Sequence, residues 1–96
     1  MSHTTLVEVP CAAGKGAEFL KILLPALVDT RAFNGCELIE IYVDQDNPDL
    51  VMIWEKWAKK ENHEAYQAWR EETGFADLVG PFLAGEPRVV HLSAAE

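Results

Sequence analysis

Basic charge is scarce in this chain: Lys and Arg number 8 against 16 Asp and Glu, a net charge of −8 at pH 7. A surface short of cations makes nucleic acid and anionic membrane poor partners, since both are recognised through basic patches. Cysteine is equally sparse, and Cys11 and Cys36 alone do not make a disulfide framework. No apolar run is long enough to cross a bilayer. Met-Ser-His-Thr-Thr at the start offers no basic, apolar leader. These absences lead to the expectation of a cytoplasmic protein with reduced thiols. His3, His63 and His91 are scattered, with no His-x-x-x-His or Cys-x-x-Cys, so the spacing predicts no metal site. The chain lacks G-x-S-x-G, Walker and G-x-G-x-x-G loops, which leaves Gly14-Lys15-Gly16 as a turn. Neither cysteine has an obvious basic neighbour, so inert thiols are the preferred reading.

What is abundant is bulk at one junction. Leu50–Trp57 is apolar, β-branched and aromatic, and predicts a strand. The next stretch is polar, with Ala65, Tyr66 and Trp69 at helical spacing. All three tryptophans lie between Leu50 and Trp69. Rings concentrated at a strand-to-helix junction build a core, a pocket or an interface.

The 96 residues are expected to form one domain, 1–96. A chain of this size buries roughly 60–65% of its unfolded surface, which makes association with a second copy a ready source of further burial. Thr4–Val9 predicts a strand ended by Pro10, and Ala17–Arg31 a helix whose apolar face holds Phe19, Ile22, Leu23, Ala26 and Leu27. Pro25 is expected to kink that helix, and Asn34-Gly35 to end it. Cys36–Asp44 alternates, with Glu37, Ile39, Ile41 and Val43 on one face and Leu38, Glu40 and Tyr42 on the other. The Gln45–Asp49 cluster turns the chain into the strand Leu50–Trp57. A second helix is placed at Asn62–Glu72 with Asn62 as its cap, then a short helical turn within 75–83 and a last strand, Arg88–Leu92. Strand, helix, strand, strand, helix, strand is the split βαβ order of the ferredoxin-like α+β fold, a four-stranded antiparallel sheet with helices on one face. The other face would carry Leu38, Tyr42, Met52 and Trp54, an apolar patch that asks for a second copy packed sheet on sheet.

Several residues admit two readings. Glu55 is a general base or hydrogen-bond anchor, or a carboxylate paired across a dimer with Lys56 or Arg88 of a neighbour. His63 is an acid–base group or a solvated helix-start residue. Trp57 walls a pocket or fills the core, and Arg70 reads as a surface partner for Glu71 or Glu72. A pocket between strand and helices would draw on Phe19, Leu23, Val51, Ile53, Tyr66 and Trp69, with Trp57 and His63 as the catalytic pair.

Along the chain stand, in order, Gly14-Lys15-Gly16-Ala17-Glu18-Phe19, the Asn34-Gly35-Cys36 corner, Glu40-Ile41-Tyr42, the Asp46-Asn47-Pro48-Asp49 turn and Trp54-Glu55-Lys56-Trp57. This ordered set resembles the antibiotic biosynthesis monooxygenase (ABM) family of dimeric α/β-barrel proteins. The resemblance implies a homodimer formed through the sheets. It also implies oxidation of a small phenolic, quinol or polyketide-type aromatic by molecular oxygen, with no metal or flavin, and an oxygenase-pocket role for Trp57. Two departures stand out. Ile53 and His63 lie near the places where one branch has asparagine and tyrosine, and Trp69 stands where many members have a histidine. The second departure disfavours haem chemistry, which needs an imidazole for iron. The other reading of the same fold is a non-catalytic dimeric protein of ligand-binding or stress-response type.

Overall fold

The computed structural model describes residues 2–96. Its strands are β1 (His3–Pro10), β2 (Cys36–Val43), β3 (Leu50–Trp57) and β4 (Arg88–Leu92). Its helices are α1 (Gly16–Ala32), α2 (Lys60–Glu72) and α3 (Phe75–Val79), the last followed by a 3-10 turn at Gly80–Phe82. The strands form one antiparallel sheet in the order β2-β3-β1-β4. This is the α+β ferredoxin-like arrangement that the element order predicts.

Alternation sets the two faces. Along β3, Val51, Ile53, Glu55 and Trp57 are buried while the residues between them are only half covered. Their partners on β1 follow the same phase, Val9 opposite Val51, Val7 opposite Ile53, Thr5 opposite Glu55 and His3 opposite Trp57. Helix α1 lays Phe19, Leu23, Leu27 and Thr30 on this inner face at the four- and three-residue steps of a helical stripe. Trp57 is wholly covered, and its truncation to alanine would cost about 3–5 kcal/mol. On the outer face, Leu38, Tyr42, Met52 and Trp54 lie on neighbouring strands, continued by Leu6 and Val90. Tyr42 is 53% exposed, and Trp54 is half-buried.

Helix α1 is continuous through Pro25, which sits on its exposed side. Local chemistry departs from expectation at the start of β2 and at the start of α2. A bulge between Cys36 and Leu38 pairs Cys36 with Trp57, leaving Glu37 as the exposed extra residue instead of a member of the Ile39 row. Asn62 is not the cap of α2. The helix starts at Lys60, and the Asn62 side chain reaches back to accept the Lys59 N–H at 3.0 Å. That bend is possible because Gly35 packs against Asn62: a Cβ on Gly35 would lie 2.2 Å from it, and the Gly35 φ is +89°. The third segment is a short α-helix followed by a 3-10 turn, with Gly80-Pro81 at the change.

Cys11 and Cys36 are both free thiols. They belong to opposite ends of β3, since Cys11 N–H donates to Asp49 O and Cys36 pairs with Trp57. Burial, first of all, raises the pKa of each thiol and keeps it protonated.

The N-terminus of α1 is held from another part of the chain. Asp49, from the β2–β3 turn, accepts the Gly14 N–H at 3.0 Å and the Gly16 N–H at 2.9 Å. Those bonds hold its carboxyl below the usual carboxylate range. Gly16 lies so close to the turn that a Cβ would come within 2.3 Å of Pro48 O. Gly16→Ala should therefore cost about 1–3 kcal/mol, read as a lower urea midpoint at unchanged m-value. A midpoint equal to the parent's would show that the turn gives way freely.

Candidate functional site

The inner sheet face, α2, α3 and the segment after it enclose a cavity of about 290 Å³. That is the small end of the range for ligand pockets. Its walls are mostly apolar: Val7, Val9, Phe19, Leu23, Ile39, Ile53, Val79 and Val89 all contribute. Four polar side chains, Glu55, Gln67, Arg70 and Glu71, enter the same lining, as does the ring of Tyr66.

Glu55 is the unusual member, a carboxylate only 4% exposed. A buried charge needs donors, and the inner face supplies two. Thr5 Oγ1 donates to Glu55 Oε1 at 3.1 Å, and Trp57 Nε1 donates to the same oxygen at 3.0 Å. Both donors are placed by strand geometry: Thr5 is the cross-strand partner of Glu55, and Trp57 is the next residue on the same face. His63 Nε2 lies 3.5 Å from Oε1. The other oxygen, Oε2, accepts no hydrogen bond among the described residues, and no polar side-chain atom there is both sealed and unpartnered. Oε2 is therefore not fully sealed, and Glu55 is part of the cavity lining. Desolvation raises the Glu55 pKa against the opposing pull of Trp57 and Thr5. A carboxylate with one oxygen anchored, the other open and a raised pKa is equipped to accept a proton. Both of its donors, Thr5 and Trp57, lie within the chain.

Arg70 also departs from expectation. It is no surface partner of Glu71 or Glu72 but ties α2 to α1. Its Nε donates to Tyr66 Oη at 2.9 Å, and Nη2 donates to Ala26 O and Thr30 Oγ1, each at 2.9 Å. Thr30 and Tyr66 share a further hydrogen bond at 2.7 Å. The guanidinium also stands 4.7 Å from the ring centroids of Trp69 and Phe75. Arg70 thus brings a fixed positive charge to a lining that also holds Glu55, Gln67 and Glu71.

Of the residues expected around a pocket, Phe19, Leu23, Ile53 and Tyr66 line the cavity. Val51, Trp57 and Trp69 stand outside its lining. Val51 and Trp57 are sealed beneath the helices, and Trp69 packs on Phe33, Tyr66 and Arg70. His63 is buried, not solvated, at 3% exposure. It borders an adjoining, more open hollow with Lys60, Glu64 and His91, separated from the Glu55 cavity by Gln67, Glu71 and Val89, which line both. Gln67 Nε2 lies 3.2 Å from His63 Nε2. The histidines that look scattered in sequence meet here: one ring nitrogen from each of His3, His63 and His91 falls within 4.8 Å of the others. Sequence reasoning missed Gln67, Glu71, His3 and His91 and set Arg70 aside. The signals available were the four-residue steps His63–Gln67–Glu71 and Tyr66–Arg70 on one helix.

Burial first, then the His91 and His3 imidazoles, push the His63 pKa from 6.5 down to about 4. Its folded-state pKa lies below the unfolded value, so the unfolded chain binds the extra proton between these limits. The associated stability is complete above pH 6.5 and is lost as pH falls through the folded pKa near 4. In chelator-treated protein, His63→Gln should flatten the stability–pH curve across this window by about 2 kcal/mol. Parallel curves for parent and variant, from urea unfolding at stepped pH, would place a charged imidazole there instead.

The model for the family described as antibiotic biosynthesis monooxygenase matches residues 3–80. Solved structures share the fold at low identity. A candidate antibiotic biosynthesis monooxygenase from Nitrosomonas europaea superposes with a TM-score of 0.88 at 15% identity, over 98% of this chain and 90% of the other. Rv0793 from Mycobacterium tuberculosis gives 0.85 at 14%, over 100% and 97%. A candidate antibiotic biosynthesis monooxygenase from Deinococcus radiodurans gives 0.81 at 20%, over 100% and 94%. No curated protein matches the chain by sequence.

Proposed function

Since the chain belongs to the antibiotic biosynthesis monooxygenase family, we propose that it oxidises a small phenolic, quinol or polyketide-type aromatic with molecular oxygen in the cavity beside Glu55. The observation that carries this reading is the open Oε2 of a buried carboxylate on an apolar wall. A flat ring would lie among Phe19, Leu23, Ile53 and Val89 with its hydroxyl toward Glu55, all of which line the cavity. Oxygen is the co-substrate, and the chemistry calls on no cofactor.

Glu55 takes the phenolic proton. A phenol's pKa is about 10, so transfer to a carboxylate is uphill even when the carboxyl pKa is raised. The Arg70 guanidinium in the same lining offsets part of that cost by favouring the phenolate. The electron-rich anion then reduces oxygen and bonds to it at a ring carbon. Glu55 returns its proton to the resulting peroxide anion, and loss of water then leaves a quinone. Phenol plus O₂ gives quinone plus water, so one oxygen atom stays in the product and the other leaves with two hydrogens of the substrate. Trp57, whose N–H is bound to Glu55, positions the base, and His63 stands behind the same carboxylate.

Oxygen uptake by metal-free protein against a panel of hydroquinones and anthrones tests the reading. Glu55→Gln should lower kcat by about 10²-fold or more with KM little changed. Trp57→Phe should reduce turnover more than binding, and His63→Ala should shift the pH dependence of the rate. Consumption of no panel member, with phenols still quenching tryptophan fluorescence, would make the cavity a ligand-binding site of a non-catalytic protein.

The functional unit we propose is a homodimer closed through the outer sheet face, where Leu6, Leu38, Met52 and Trp54 have no helix over them. Light scattering at micromolar concentration should give twice the chain mass. Trp54→Glu should raise the dimer dissociation constant at least about tenfold, because it sets an unpaired charge against the facing sheet. A monomeric mass for the parent would overturn the arrangement.

A further inference from the structure

We propose that His3, His63 and His91 form a three-imidazole binding site for a borderline divalent transition-metal ion of the Zn²⁺ class. The inference does not depend on the oxygenase reading: it shares His63 with that site, while His3 and His91 lie outside the lining of the Glu55 cavity.

The fold builds the cluster from three elements. His3 opens β1 opposite Trp57, and His91 on β4 pairs with Thr5, two residues further along β1. Alternation puts both imidazoles on the inner face with Thr5 and Trp57. Helix α2 starts three residues after Trp57, and its first turn carries His63 over this end of the sheet. One nitrogen from each ring then lies within 4.8 Å of the other two. A tetrahedral ion with bonds of about 2.0–2.1 Å holds its ligand nitrogens roughly 3.3 Å apart. Small rotations of His3 and His91, the less buried pair, bridge that difference.

The polar contacts of the cluster are the second argument. His3 Nε2 faces His91 Nδ1 at 2.9 Å, nitrogen to nitrogen. Such a contact holds a single proton between two lone pairs, and the third imidazole adds another. A cation accepts all three. Glu55 Oε1, 3.5 Å from His63 Nε2, is the kind of carboxylate that fixes the tautomer and orientation of a ligating imidazole. Three nitrogen donors with no oxygen among them suit Zn²⁺, Cu²⁺, Ni²⁺ or Co²⁺, not Mg²⁺ or Ca²⁺. The net charge of −8 draws any cation to the surface. His63 and His91 border the adjoining hollow, which leaves room for water or another small ligand on the ion.

The test uses tag-free, chelator-treated full chain titrated calorimetrically with ZnCl₂ alone, then with MgCl₂. The expected result is one Zn²⁺ per chain and no Mg²⁺. His3→Ala and His91→Ala, both outside the buried core, should fold and each weaken Zn²⁺ at least about 100-fold. Co²⁺ should give the visible absorption of a tetrahedral nitrogen site in the parent and lose it in both variants. Substoichiometric Zn²⁺ uptake, or equal affinity in the His3→Ala/His91→Ala double variant, would overturn the site. Neither result bears on whether the Glu55 cavity consumes oxygen.

Discussion

A carboxylate buried on the inner face of a central strand, β3, must find donors, and much of the site follows from how Glu55 finds them. Transfer of an unpaired carboxylate from water costs many kcal/mol, so its neighbours cannot vary freely. Period-two geometry puts Trp57 two residues on and Thr5 directly across, and both donate to Oε1. Trp57 must then be covered, and it is covered by the start of α2 and by Phe33, whose ring meets its edge at 6.2 Å. One polar group thereby specifies the identity of a large core residue, the angle of a strand and the docking of a helix.

The second constraint is the cavity roof. Helix α2 shows little apolar surface, and only His63 and Tyr66 along it are buried. Its attachment is polar and directional instead. Arg70, Tyr66 and Thr30 close a hydrogen-bonded triangle with α1, and the Arg70 fork also reaches the Ala26 carbonyl. A purely apolar seam would tolerate sliding, whereas this network admits one register. It holds α2 at a fixed height above the sheet, and the space beneath is the cavity.

The strands and helices were legible because each carries its own period, two for Leu50–Trp57 and three-to-four for Phe19–Leu27. The row Val51, Ile53, Glu55, Trp57 could be read directly, so the burial of Glu55 was visible before any coordinates. Its pairing was not, because Thr5 comes from a strand fifty residues away in sequence. Arg70 was misjudged for the same reason: adjacent Glu71 and Glu72 suggest a local partner, while its real acceptors lie on α1. The cap of α2 was misplaced because an asparagine can serve a helix start from its third position as well as from the cap itself. The histidine cluster was invisible because its members sit at positions 3, 63 and 91, and metal spacing rules apply only to ligands on one or two nearby elements.

The geometry also redistributes the roles that sequence assigns to aromatic residues. An indole N–H can stabilise a phenolate only when it is free, and that of Trp57 is bound to Glu55. If Trp57 turned to a ligand instead, Glu55 would lose one of its two donors and its charged form would become costlier. In the proposed reaction, anchoring the base and stabilising the anion would therefore fall to different side chains. Among the residues lining the cavity, Arg70 is the one that carries a positive charge. Its Nε and Nη2 are bound to α1 and Tyr66, while Nη1 has no hydrogen-bond partner among the described residues. In the proposed reaction the proton acceptor and the anion-stabilising cation would thus come from different elements, β3 and α2, and the network that fixes α2 over the sheet would also fix the distance between them.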